Sequence, residues 1–122
     1  MIRVGYLEGT DPLFLNELAI RGVDTMPLSN GVDHHGKLID HLLESDEISA
    51  VVGYLYKIIP LAGTNKTPAD LLNACRVNGI PVLIVVQDSM QHQAIEVLDG
   101  AREFVTLVDP AKLRSAFERV TG

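Results

Sequence analysis

An α/β domain in three layers, with helices on both faces of a five-stranded parallel sheet, is the fold class this sequence predicts. Three observations predict it. Short apolar runs alternate with segments of helical period along the whole chain. Three helix starts are marked by Asp-Pro or Thr-Pro pairs and three helix ends by glycine, so the alternation is punctuated. With 47% apolar residues in 122, the chain can bury a core, yet it has no apolar run near the ~18 residues of a membrane span.

Each element follows in order. Ile2 to Leu7 reads as the first strand and Glu8-Gly9-Thr10 as its turn. Asp11-Pro12 opens a helix, because Asp caps well and Pro at the first helical position loses no hydrogen bond. Phe14, Leu15, Leu18 and Ala19 form its apolar stripe, and Gly22 ends it. Val23 to Leu28 is a second strand, followed by a polar loop from Ser29 to Asp33. The spacing of Leu38, Ile39, Leu42 and Leu43 predicts a second helix there.

Ile48 to Leu55 is the third strand, continuously apolar as a strand buried on both faces should be. Tyr56 to Lys66 is a longer connection. Thr67-Pro68-Ala69-Asp70 starts the third helix, with Leu71, Leu72 and Cys75 inward and Asn78-Gly79 at its end. Ile80 to Val86 is the fourth strand. Ser89 is the expected cap of a helix carrying Met90, Ala94, Ile95 and Leu98, closed by Asp99-Gly100. Glu103 to Val108 is the fifth strand, and Asp109-Pro110 starts a last helix with Leu113, Ala116, Phe117 and Val120 inward.

Such alternation implies right-handed crossovers, and at this length one domain over residues 1–122 with the flavodoxin-like, Rossmann-like strand order 2-1-3-4-5. The formal charge is −6, with nine acids and three bases in residues 1–56 and seven of each thereafter. That balance argues against nucleic-acid binding. One cysteine excludes an intrachain disulfide framework. MIRVGYLEG shows no basic stretch leading into an apolar one, so a cytoplasmic domain away from membranes is expected.

Ligands of such sheets bind beyond the carboxyl ends of the strands. That rule nominates Glu8, Thr10, Asp11, Ser29, Asn30, Lys57, Asp88 and Ser89. Gly63-Thr64-Asn65-Lys66 supplies a glycine, a hydroxyl and a lysine before a helix start, the composition of a phosphate or carboxylate site. The same composition suits a solvated loop with Thr67 as cap, and it lacks P-loop spacing. Glu8 and Asp11 form a carboxylate pair with the chemistry for Mg²⁺ or for divided acid and base roles, although Asp11 also suits capping. His34, His35 and His41 are rich in ligand nitrogens but lack a metal-binding spacing, so no metal site is assigned to them. Tyr54 and Tyr56 share one side of their strand and would make an aromatic wall or pack beneath a helix. Cys75 lies in an apolar stripe and reads as a structural thiol.

The run Val4-Gly5-Tyr6-Leu7-Glu8-Gly9-Thr10-Asp11, then Leu15, Leu18, Gly22-Val23 and Leu28-Ser29-Asn30-Gly31, resembles the opening of a Toprim domain over about residues 2–31. The resemblance implies an acid–base role for Glu8. In that family an Asp-x-Asp after the third strand holds Mg²⁺, and this chain has Tyr54-Leu55-Tyr56-Lys57 there. The overall topology is similar to a response-regulator receiver, but the phosphorylatable Asp ending strand three is missing. Asp33-His34-His35-Gly36 fails the cobalamin-binding pattern, and no Gly-x-Gly-x-x-Gly follows the first strand.

The expectation is a small binding or regulatory module that recognises an anionic small ligand or a protein partner at the carboxyl rim, with no cofactor assigned. Exposed helix faces would allow a homodimer. The alternative is a Toprim-like or other Mg²⁺-dependent nucleotide-processing hydrolase, with Glu8 as acid–base residue and Asp11 and Asp88 as metal ligands.

Overall fold

The computed structural model describes residues 2–59, 67–98 and 100–122. Among the described residues six parallel strands form one sheet: β1 (Arg3–Leu7), β2 (Asp24–Ser29), β3 (Lys37–Leu38), β4 (Ala50–Tyr54), β5 (Val82–Val85) and β6 (Val105–Val108). Their order is β3-β2-β1-β4-β5-β6, which replaces the expected five strands in order 2-1-3-4-5. The difference is β3, a two-residue edge strand paired to Leu28 and Ser29.

Alternation of side chains along each strand builds two cores, one on each face of the sheet. On one face, β1 sends Val4, β4 sends Val52 and β5 sends Leu83 against α1 (Pro12–Ile20) and α5 (Leu113–Thr121). The rings of Phe14 and Phe117 meet edge to face there, with centroids 5.7 Å apart. On the other face, Leu7, Val51 and Ile84 pack with Leu71 of α2 (Pro68–Leu71) and Cys75 of α3 (Asn73–Val77). Leu98, just beyond α4 (Gln91–Val97), joins the same cluster.

Caps act where the sequence places them for α1 and α2. Asp11 accepts from the Leu13 N–H at 2.9 Å. Thr67 and Asp70 make a reciprocal capping box, each side chain bonded to the other's backbone N–H at 3.1 Å. Asp109 likewise accepts from the Ala111 N–H at 2.9 Å, opening a 3-10 turn that runs into α5.

Three expectations change. The helix expected from the spacing of Leu38 to Leu43 is instead β3 and two 3-10 turns, Ile39–His41 and Glu44–Asp46. Asp46 holds that path: its carboxylate lies 2.7 Å from Lys37 Nζ and accepts from the Leu43 N–H, while its carbonyl accepts from Arg3. The third helix is split into α2 and α3 at Leu72. Ser89 does not cap α4; it sits inside a 3-10 turn, Asp88–Met90, and α4 starts without a side-chain cap. That turn is pinned one step earlier, by the bond from the Asp88 N–H to Asp109 Oδ2 at 3.0 Å.

No helix among the described residues is long and apolar enough to cross a membrane.

Candidate functional site at the carboxyl rim

The turn after β1 is spent locally. Thr10 is buried, and its hydroxyl donates to the Leu7 carbonyl at 2.7 Å. Gly9 has φ +84°, and a Cβ there would stand 2.5 Å from the Tyr56 hydroxyl. Only glycine lets the turn close and Tyr56 lie across it.

The loop after β2 is organised by its first two side chains. Ser29, buried, accepts from the Gly31 N–H at 3.0 Å. Asn30 Oδ1 accepts from the backbone of Val32 and Asp33, and its amide donates to the Lys57 carbonyl at 2.8 Å. Asn30 thereby ties the loop after β2 to the turn after β4, across the end of β1.

That tie brings Asp33 to Lys57. The Lys57 ammonium lies 3.1 Å from Asp33 Oδ2 and 3.6 Å from Glu8 Oε2, and 5.2 Å from the centre of the Tyr56 ring. Asp33 and Lys57 each keep only 13% of their side-chain surface exposed, whereas Glu8 keeps 47%. Among the described residues Asp33 Oδ2 accepts no aligned hydrogen bond, so its partnership with Lys57 is an ion pair. Burial opposes the charge on Lys57, but Asp33, then Glu8 and Tyr56, outweigh it and raise the lysine pKa above its ordinary value.

The carboxylates expected to act together do not converge. Glu8 pairs with Lys57, Asp11 caps α1, and Asp88 meets Lys112 at 3.7 Å beside β6. Asp88 also accepts from the Gln91 amide at 3.1 Å. Ser89 is exposed within its turn. Gly63, Thr64 and Lys66, the proposed anion loop, lie outside the described residues. His34 is exposed with φ 53°, while His35 turns inward, with Nδ1 3.1 Å from the Leu28 carbonyl and its ring edge-on to Tyr6. Among the described residues no group of three or more His, Cys, Asp or Glu side chains is placed to hold a metal ion. Cys75 is fully buried, and burial pushes its thiol up to about 12.

Beside the ion-pair cluster, a cleft of about 390 Å³ opens at the carboxyl ends of β4 and β5. Tyr54 and Tyr56 wall it, with ring centroids 6.3 Å apart and planes 22° from parallel. Ile59, Val85 and Pro110 add apolar surface, and Gln87 supplies an amide. Burial, followed by the charge of Asp11, raises the Tyr54 hydroxyl pKa and keeps it protonated. Ile59 and Pro110 are contributions that sequence reasoning missed, because both follow strand ends and become neighbours only through the β4-β5-β6 order. The two-residue spacing of the tyrosines was the available signal.

Neither a family model nor a curated protein matches this sequence.

Proposed function

We propose that this chain is a binding module for a small ligand with a flat apolar body and one anionic end. The observation that carries the reading is the Tyr54–Tyr56 cleft, lined mostly by apolar groups, whose Tyr56 wall has the half-buried ammonium of Lys57 5.2 Å from its ring centre. Concave apolar surface with a few polar groups at the carboxyl ends of parallel strands is the usual form of a small-molecule site. With the edge strand β3 set aside, the remaining order β2-β1-β4-β5-β6 supports a flavodoxin-like reading, which accords with a ligand at that rim. The pairing of Glu8 with Lys57 favours binding over Mg²⁺-dependent hydrolysis, since an ammonium beside Glu8 offsets the negative charge a Mg²⁺ ligand set needs.

A thermal-shift screen tests it, because a ligand that binds only the native state raises apparent stability. At least one class of aromatic anion among flavins, nucleotides and aryl carboxylates should raise the melting temperature, and Tyr56→Ala should weaken its binding by about 2- to 10-fold, the value of one aromatic contact. Shifts that persist unchanged in Tyr56→Ala would overturn the reading.

A further inference from the structure

Lys57 has two carboxylate partners of different character. Asp33 is close and shielded; Glu8 is farther away, at 3.6 Å, and half exposed. The distance places Glu8 beyond a hydrogen bond, in an ion pair of the weak, solvent-screened kind. Asp33, in contrast, is fixed by the Asn30-organised loop and shares the shielded interior with the ammonium. From the standpoint of charge, Glu8 is an intramolecular anion resting on a preformed site.

We propose that Glu8 is a displaceable stand-in, and that the carboxylate of a bound ligand takes its place on Lys57 while Asp33 stays. The inference rests on the reading that this rim takes an anionic ligand, and it adds the chemical class of the anion. Exchange of one carboxylate for another leaves a single outward carboxylate on the ammonium, with Glu8 turned to solvent, so the half-buried Asp33–Lys57 pair sees a similar field before and after. A phosphate dianion would add a further negative charge beside Asp33, which the low exposure of the pair makes unfavourable. The group recognised is therefore a monocarboxylate. The cleft wall begins within the same residue pair, since the Tyr56 ring both lines the cleft and lies 5.2 Å from the ammonium.

The experiment uses the full chain and two probes, acetate and benzoate, titrated while the backbone amide resonances of Tyr56 and Ile58 are followed by NMR, a readout that survives substitution of the Lys57 side chain. Glu8→Gln, at a half-exposed position, should bind both probes about two- to fivefold more tightly than wild type, the factor that a weak ion pair represents. Lys57→Met should abolish the effect, and melting curves of both variants establish that they are folded. Equal acetate affinity in wild type and folded Glu8→Gln would overturn the exchange. Inorganic phosphate binding more tightly than acetate would overturn the monocarboxylate assignment. The gain of benzoate over acetate reports on the tyrosine cleft separately, so failure of the cleft reading and failure of the exchange give different results. Should Lys57→Met not fold, Lys57→Arg serves in its place; there the Glu8→Gln gain must persist, because the cation remains, and its disappearance would overturn the proposal.

Discussion

At the residue scale, Gly9 carries two constraints at once, a left-handed backbone and the Tyr56 hydroxyl in the space a Cβ would fill. Gly9→Ala is therefore expected to destabilise the fold by about 1–3 kcal/mol, read as a lower urea midpoint at unchanged slope. It should also disturb Tyr56 and with it one wall of the cleft. The sequence made Glu8, Asn30 and Lys57 visible as rim residues, because strand ends can be read from apolar runs. It did not reveal that Asp33 joins them. That contact depends on Asn30 bonding two backbone groups of its own loop and the Lys57 carbonyl at once, and no spacing rule encodes such a fold-back.

At the element scale, α1 and α4 differ in how they begin, although the sequence offers a capping side chain at each start. Asp11 bonds the first turn of α1, whereas α4 follows a 3-10 turn and has no side-chain cap. Asp11→Ala should cost about 0.5–2 kcal/mol and Ser89→Ala less than about 0.5, compared by urea denaturation. The segment after β2 shows how periodicity misleads. Ile39 and Leu42 are indeed buried, as a helical stripe would require, but Leu43 is exposed. Gly36 sits with φ +91°, so close that a Cβ would lie 2.3 Å from the Pro27 carbonyl, and this contact delivers Lys37 and Leu38 to the edge of β2. Tertiary contacts, and not local period, settle that path.

At the scale of the whole molecule, ionisation limits stability from both sides. Asp46 is held below its ordinary range by Lys37 and by the Leu43 N–H, Glu17 by Arg114, and Asp109 by the backbone of Asp88 and Ala111. A carboxyl with a depressed folded pKa contributes stability that is present above its unfolded value, here 3.8 for Asp and 4.5 for Glu, and lost as pH falls through the folded value. Lys57 is shifted upward, so its contribution is complete below 10.5 and is lost as pH rises through its raised folded value. The urea midpoint should therefore be level across neutral pH, fall below about 4 and fall again above about 9, where the Cys75 thiol ionises in the unfolded chain but stays protonated in its buried site. Lys57→Arg should remove only the Lys57 part of that fall, above about 10.5, since arginine stays protonated there, and leave the Cys75 part in place. The parallel α/β architecture was legible from alternation alone. The sixth strand was not, because two residues on a sheet edge leave no pattern to read.

The loop after β2 grips Lys57 at both ends, with Asn30 on its carbonyl and Asp33 on its ammonium. A residue anchored in this way has its backbone and its inner charge immobilised together, and only its outward side is free to reorganise. A change of partner at that outward side requires a rotamer hop of half-exposed Glu8, a motion of picoseconds to nanoseconds, and no opening of a loop on the microsecond scale. Occupancy of the site would then be governed by the arrival and departure of the anion, with the protein itself never the slow step.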